Sequence, residues 1–149
     1  MGPERKKPQR GLAGAPYKHS NSTMSIPDEL RDKCPDDSAR IRELNDALRT
    51  CTDPLLRLVI NGQLVITRGI HERGDDFFKR AIAAVRAFDD FNADNDPHGE
   101  HDMAFLDVEG ERIFFKVDYY DSEMQCHSPD PADAGVTRRV LTIGLASDY

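Results

Sequence analysis

Between His101 and Asp121 the chain reads HDMAFLDVEGERIFFKVDYYD, two runs in which apolar and polar residues alternate on either side of Glu109-Gly110. A period of two marks strands with one buried face, and a slip of one residue would exchange the two faces completely. With Glu109-Gly110 as a two-residue turn, Ala104, Leu106 and Val108 share a core face with Ile113, Phe115, Val117 and Tyr119. The opposite face carries His101, Met103, Phe105 and Asp107 across from Asp118, Lys116, Phe114 and Arg112. This register predicts an Asp107–Arg112 pair and sets His101 directly across from Asp118.

Other segments supply partners for that hairpin. In PDDSARIRELNDALRTC, Asp36 or Asp37 is suited to cap a helix. Its apolar stripe is Ile41, Leu44, Leu48 and Cys51. The run LRLVINGQLVIT places two β-rich stretches around Asn61-Gly62, a pair that tolerates the positive φ of a tight turn, and predicts a further hairpin. From about Asp75 to Asp90 a second helix lines up Phe77, Phe78, Ala81, Ile82, Val85 and Phe88. Residues 136–146 fit either a helix or a strand, and a C-terminal helix is the preferred reading. The expected fold is α+β: a mainly antiparallel sheet of about four strands, built as two hairpins and packed by two or three helices.

The 149 residues suit one domain. Residues 1–35 are rich in Pro, Gly, Ser and basic residues and carry too few apolar side chains to offset their ordering entropy. They are read as a disordered basic leader ahead of a single domain at 36–149. Met24 opens MSIPDELRDK, itself like a protein start, so the preceding residues are open to being an upstream extension. The net charge of −7 is regional: the leader is basic, whereas residues 91–134 hold twelve acids against Arg112 and Lys116. Such a region repels phosphate backbones, so nucleic acid is an unexpected partner except through the leader. No apolar run is long enough for a membrane span, and none follows the basic N-terminus as a secretory signal would require. Cys34, Cys51 and Cys126 are scattered and lack a C-x-x-C pair, which predicts reduced thiols in a cytoplasmic protein.

Several stretches together resemble a known family. ITRGI (66–70), FDDFNADNDPHGEHD (88–102), FKVDYYD (115–121), SPDPAD (128–133) and RVLTIGLASDY (139–149) are similar, in order, to the domain of unknown function 3768 family. That family occurs in proteobacteria, often on plasmids or other mobile elements. The resemblance spans roughly residues 38–149. It departs from the family pattern at Phe115, where Trp is usual, near Ala104, where Gly is usual, and at Gly144, where a bulkier residue is usual. The family has no established activity, so the resemblance implies a genomic habitat rather than a mechanism.

Two classes of function are open. NADNDPHGEHD (92–102) and the neighbouring acids suggest a negative surface for a protein partner with a basic surface, through Asp94, Asp96, Glu100, Asp102, Asp107, Glu109 and Glu111. With the habitat that the resemblance implies, this becomes a mobile-element accessory protein that inhibits a host nucleic-acid-handling or defence complex. The alternative is a small His/Asp-dependent hydrolase. Its candidate catalytic residues are His101, Asp118 and Tyr120, the carboxylate orienting the imidazole as a general base requires. A metal-dependent version would draw ligands from His98, His101, Asp118 and Asp121. No cofactor is expected: GIHERG lacks the Lys-Ser/Thr of a phosphate loop, and DFNADNDPHGEH lacks the EF-hand spacing. The bland reading of NADNDP is a polar turn between helix and strand.

Overall fold

The computed structural model describes residues 35–149, and the proposed leader lies outside the described residues. Helix α1 spans Pro35–Thr50 and α2 Pro54–Val59. Strand β1 (Gly62–Ile66), α3 (Arg68–Glu72) and α4 (Asp75–Ala87) follow. Strands β2 (Met103–Val108), β3 (Glu111–Tyr120) and β4 (Arg138–Leu145) and a short 3₁₀ turn (Ala146–Asp148) complete the chain. The fold is α+β, with one four-stranded sheet in the order β1-β4-β3-β2.

The β2–β3 hairpin has the expected register, with Met103 opposite Lys116, Phe105 opposite Phe114 and Asp107 opposite Arg112. Glu109 and Gly110 both take positive φ, 53° and 84°, as a two-residue turn matched to strand twist requires. Ile113, Phe115, Val117 and Tyr119 are buried on one face beneath α1 and α4, which contribute Ile41, Leu44, Leu48, Phe77, Ala81 and Val85. On the other face Tyr149 packs edge-on against Phe105 and Phe114, with ring centroids 5.8 and 5.2 Å away. That contact accounts for the burial of Phe114 outside the main core.

Three expectations are corrected. There is no hairpin at Asn61-Gly62. Pro54–Val59 is a helix, begun by Pro54 after the Asp53 side chain accepts the Leu55 amide hydrogen at 2.9 Å. Asn61, at φ 51°, turns the chain from that helix into β1. The C-terminal segment is β4 rather than a helix, and β4 pairs antiparallel with β3 and parallel with β1. The sheet is therefore mixed, though mostly antiparallel. Finally, α1 begins at Pro35, so Asp36 and Asp37 sit in its first turn instead of capping it, where their charge still suits the helix dipole.

Candidate functional site

The segment NADNDPHGEHD folds as a self-bonded loop. The Asn92 side chain accepts the amide hydrogens of Asp94 and Asn95, and Asn95 donates to the carbonyl of Asp90 at 2.7 Å. Asp96 is buried, and its carboxylate accepts the backbone hydrogens of Glu100 and His101 at 3.0 and 3.2 Å. Gly99 and His101 both adopt positive φ, 66° and 55°. This reversal just before β2 carries the His101 ring into the helix layer, away from the strand position across from Asp118.

There His101 meets residues that the local sequence gave no reason to associate with it. Its ring stacks on Phe91, with centroids 3.7 Å apart and planes 6° apart. Nδ1 lies 3.0 Å from both carboxylate oxygens of Asp46 on α1, and Nε2 lies 3.8 Å from Asp96. Asp46 also accepts from Arg49 at 2.8 Å. Arg49 in turn donates to the carbonyls of Val85 and Phe88, both at 2.8 Å, satisfying the last turn of α4. The result is a chain of charges, Arg49–Asp46–His101–Asp96, that ties α1 to the end of α4 and to the loop.

Beside it lies a second, deeper network. Asn45 is fully buried and donates to the Glu100 carbonyl at 2.9 Å and to the Tyr119 hydroxyl oxygen at 2.7 Å. Tyr119 donates to the Glu100 carboxylate at 3.2 Å. Arg139, also fully buried, donates through Nε to Asn45 at 3.2 Å and through its guanidinium to the Pro131 carbonyl, and it lies over the Tyr119 ring. Burial raises the Tyr119 hydroxyl from 10.0 to about 12 and lowers Arg139 to about 10. Both shifts arise chiefly because the charged form of each group loses water.

The expected catalytic set is not assembled. Asp118 pairs with Lys116 at 2.9 Å, which raises the Lys116 pKa, and His101 pairs with Asp46 instead. Tyr120 lies with Asp118 on the sheet face opposite the helices, so the sheet itself separates it from His101. The metal set is not brought together either. His98 is exposed, and the Asp121 carboxylate accepts the Gln125 amide hydrogen. Among the described residues no group of three His, Cys, Asp or Glu side chains is placed to hold an ion.

The acidic surface is also revised. Asp96 and Glu100 are buried and structural, and Asp102 is half-buried, with its carbonyl accepting from Val117. Asp107 pairs with Arg112 and Glu109 with Arg80, at 3.1 and 2.8 Å, while Glu111 pairs with Arg73. Of the residues assigned to a partner, Asp94 alone is exposed with no cationic partner among the described residues. The one legible hint of the hidden network was Asn45, a polar residue four positions after Ile41 on the apolar stripe of α1.

A family model described as "Protein of unknown function (DUF3768)" matches residues 66–148, more than half of the chain. The chain belongs to the DUF3768 family. The DUF3768 match begins at the end of β1 and covers the loop, the hairpin and β4, so it includes Phe91, Asp96, Glu100, His101, Tyr119 and Arg139. Asn45, Asp46 and Arg49, which complete both networks, come from α1 outside the matched DUF3768 segment. No curated protein and no solved structure matches this chain. Among the described residues, no helix is long and apolar enough to cross a membrane.

Proposed function

We propose that this DUF3768 protein acts by binding another protein, and that helix α2 makes the central contact. One observation carries the reading. No side chain of α2 is buried, while Leu55, Leu58 and Val59 are 70%, 73% and 75% exposed and Leu56 is 43% exposed. Apolar side chains gathered on one short helix and turned to solvent mark an interaction surface more than a solubility feature. Helix α2 lies against β1, an edge strand whose outer side pairs with no strand among the described residues. An open edge beside an apolar patch offers a partner both backbone hydrogen bonds and side-chain burial.

The acids have a smaller part in this reading than their number suggests. Asp89, Asp90 and Asp94 are exposed without cationic partners among the described residues, and they would steer a basic partner toward the protein. A role as a mobile-element accessory protein directed at a host nucleic-acid-handling or defence complex fits within this proposal. The test is recovery of partners from cells by the full chain, by a Leu55→Lys/Leu58→Lys variant and by an Asp89→Lys/Asp94→Lys variant. The first variant should lose the partner and the second should bind it more slowly at low salt. A partner retained by the Leu55→Lys/Leu58→Lys protein rules the α2 surface out.

The hydrolase alternative keeps one supporting observation, now on different residues: Asp46 orients His101 as a carboxylate orients a general base. Against it, Nε2 faces Asp96, the ring is covered by Phe91, and no hydroxyl or thiol hydrogen-bonds to His101. A hydrolytic activity abolished in a folded Asp46→Asn variant would establish it.

A further inference from the structure

A cleft opens between α1, α2, α4 and the β1–β4 pair, with an empty volume, counted out to open solvent, of about 250 Å³. Its walls are largely apolar, with Leu64, Ile82 and Leu141 among them. All its charged side chains are arginines: Arg49, Arg57 and Arg86. No acidic residue lines it, in a protein whose net charge is −7. Like charges held against apolar walls repel one another and are poorly hydrated unless an anion joins them.

The three arginines are incompletely satisfied. The Arg49 side chain is 6% exposed, and its Nε is buried without an acceptor although its other nitrogens are bonded. Arg57 has a buried Nε without an acceptor, and its guanidinium makes no hydrogen bond or ion pair among the described residues. Arg86 donates to the Cys51 carbonyl at 3.0 Å and has no carboxylate partner among the described residues. Helix α2 is thus inside out, with leucines in solvent and its one cation against the cleft.

We propose that this cleft binds a small molecule bearing a carboxylate and a short apolar tail. Arg57 and Arg86 take the carboxylate, and the tail lies along Leu64, Ile82 and Leu141. A guanidinium fork matches the two oxygens of a carboxylate, whereas apolar walls would strip the more strongly hydrated phosphate of water without replacing it. The volume falls below the ~300 Å³ at which pockets begin to hold drug-sized ligands, so the tail is short. The inference does not depend on the partner surface, because the exposed α2 leucines lie outside the cleft lining.

The test is calorimetric titration of the full chain with sodium hexanoate, sodium phosphate and hexanol at matched ionic strength, with thermal melts to confirm that each variant is folded. Hexanoate should bind saturably, and Arg57→Gln and Arg86→Gln should each weaken it by about tenfold or more. Arg57→Lys, which keeps the charge but loses the fork, should fall between them and the native chain. Leu58→Lys should bind hexanoate as the native chain does, which separates this site from the α2 partner surface. Phosphate binding as tight as hexanoate would replace the carboxylate assignment with a general anion site. Equal binding of hexanol, full binding by Arg57→Gln, or no saturation with hexanoate would each overturn the proposal.

Discussion

His101 occupies a left-handed backbone position that costs a non-glycine residue roughly 1–2 kcal/mol, and it is held there by Asp46, Asp96 and Phe91. If its role is to clamp the loop, removing the ring should cost stability. His101→Ala is expected to destabilise the protein by about 1–3 kcal/mol in urea denaturation, and His101→Gly by about 1 kcal/mol less, since glycine removes the backbone cost. Equal stability of the two variants would show that the positive φ carries no strain. Tyr119 makes a second residue-level prediction. Its folded pKa, raised from 10.0 to about 12, means that the unfolded chain loses the proton first. The stabilisation from the neutral phenol is complete below pH 10 and is lost as pH rises toward 12. The stability advantage of the native protein over Tyr119→Phe should shrink across that window by up to about 2–3 kcal/mol, measured by denaturation at each pH. Little of this could be read from sequence. Alternation located Tyr119 in the core, but its contacts with Asn45 and Arg139 join residues on separate elements, and no local pattern records such a meeting.

Elements were legible where their pattern was local and one-sided. The β2–β3 hairpin and α4 each show a clean period, because each buries one face. Strand β4 does not: Val140, Leu141, Ile143, Gly144 and Leu145 are all buried, so its sequence is a continuous apolar run that fits helix and strand alike. In PLLRLV the β-branched and leucine content suggested a strand, yet Asp53-Pro54 is a helix-start signal that outweighed it. The same helix supports a test by contrast. Leu58→Ser should change stability by less than about 0.5 kcal/mol, whereas Leu48→Ala on α1 should cost about 2–5 kcal/mol, both by chemical denaturation. A large loss from Leu58→Ser would mean that α2 stabilises the fold and is not held in reserve for a partner. Gly144 has its own packing reason: a Cβ there would come within 2.6 Å of both Phe114 and Thr67.

At the scale of the whole molecule, β4 is the member on which the sheet depends. It lies between β1 and β3, and Arg139 joins it to α1 through Asn45. Removing residues 138–149 should therefore abolish cooperative thermal unfolding, not merely lower its midpoint, since β1 would be left without a strand partner. A truncated chain that still melts sharply would place the folding core in the hairpin and helices alone. The acidic character of the chain was plain from composition, but its use was not. Many of the acids serve as internal acceptors or as partners of nearby arginines, an arrangement visible only once distant residues are brought together.

Strand β1 is joined to the sheet by a single parallel ladder, from Gly62 opposite Arg139 to Ile66 opposite Ile143, while β4 is hydrogen-bonded on both sides. Its amides should therefore exchange with solvent deuterium well before those of β3 and β4. A segment that detaches so readily can open without the hairpin opening, and it would carry α2 with it. The most exposed apolar helix would then belong to the most easily released part of the fold, and a ligand that closes the cleft beneath α2 would slow that release.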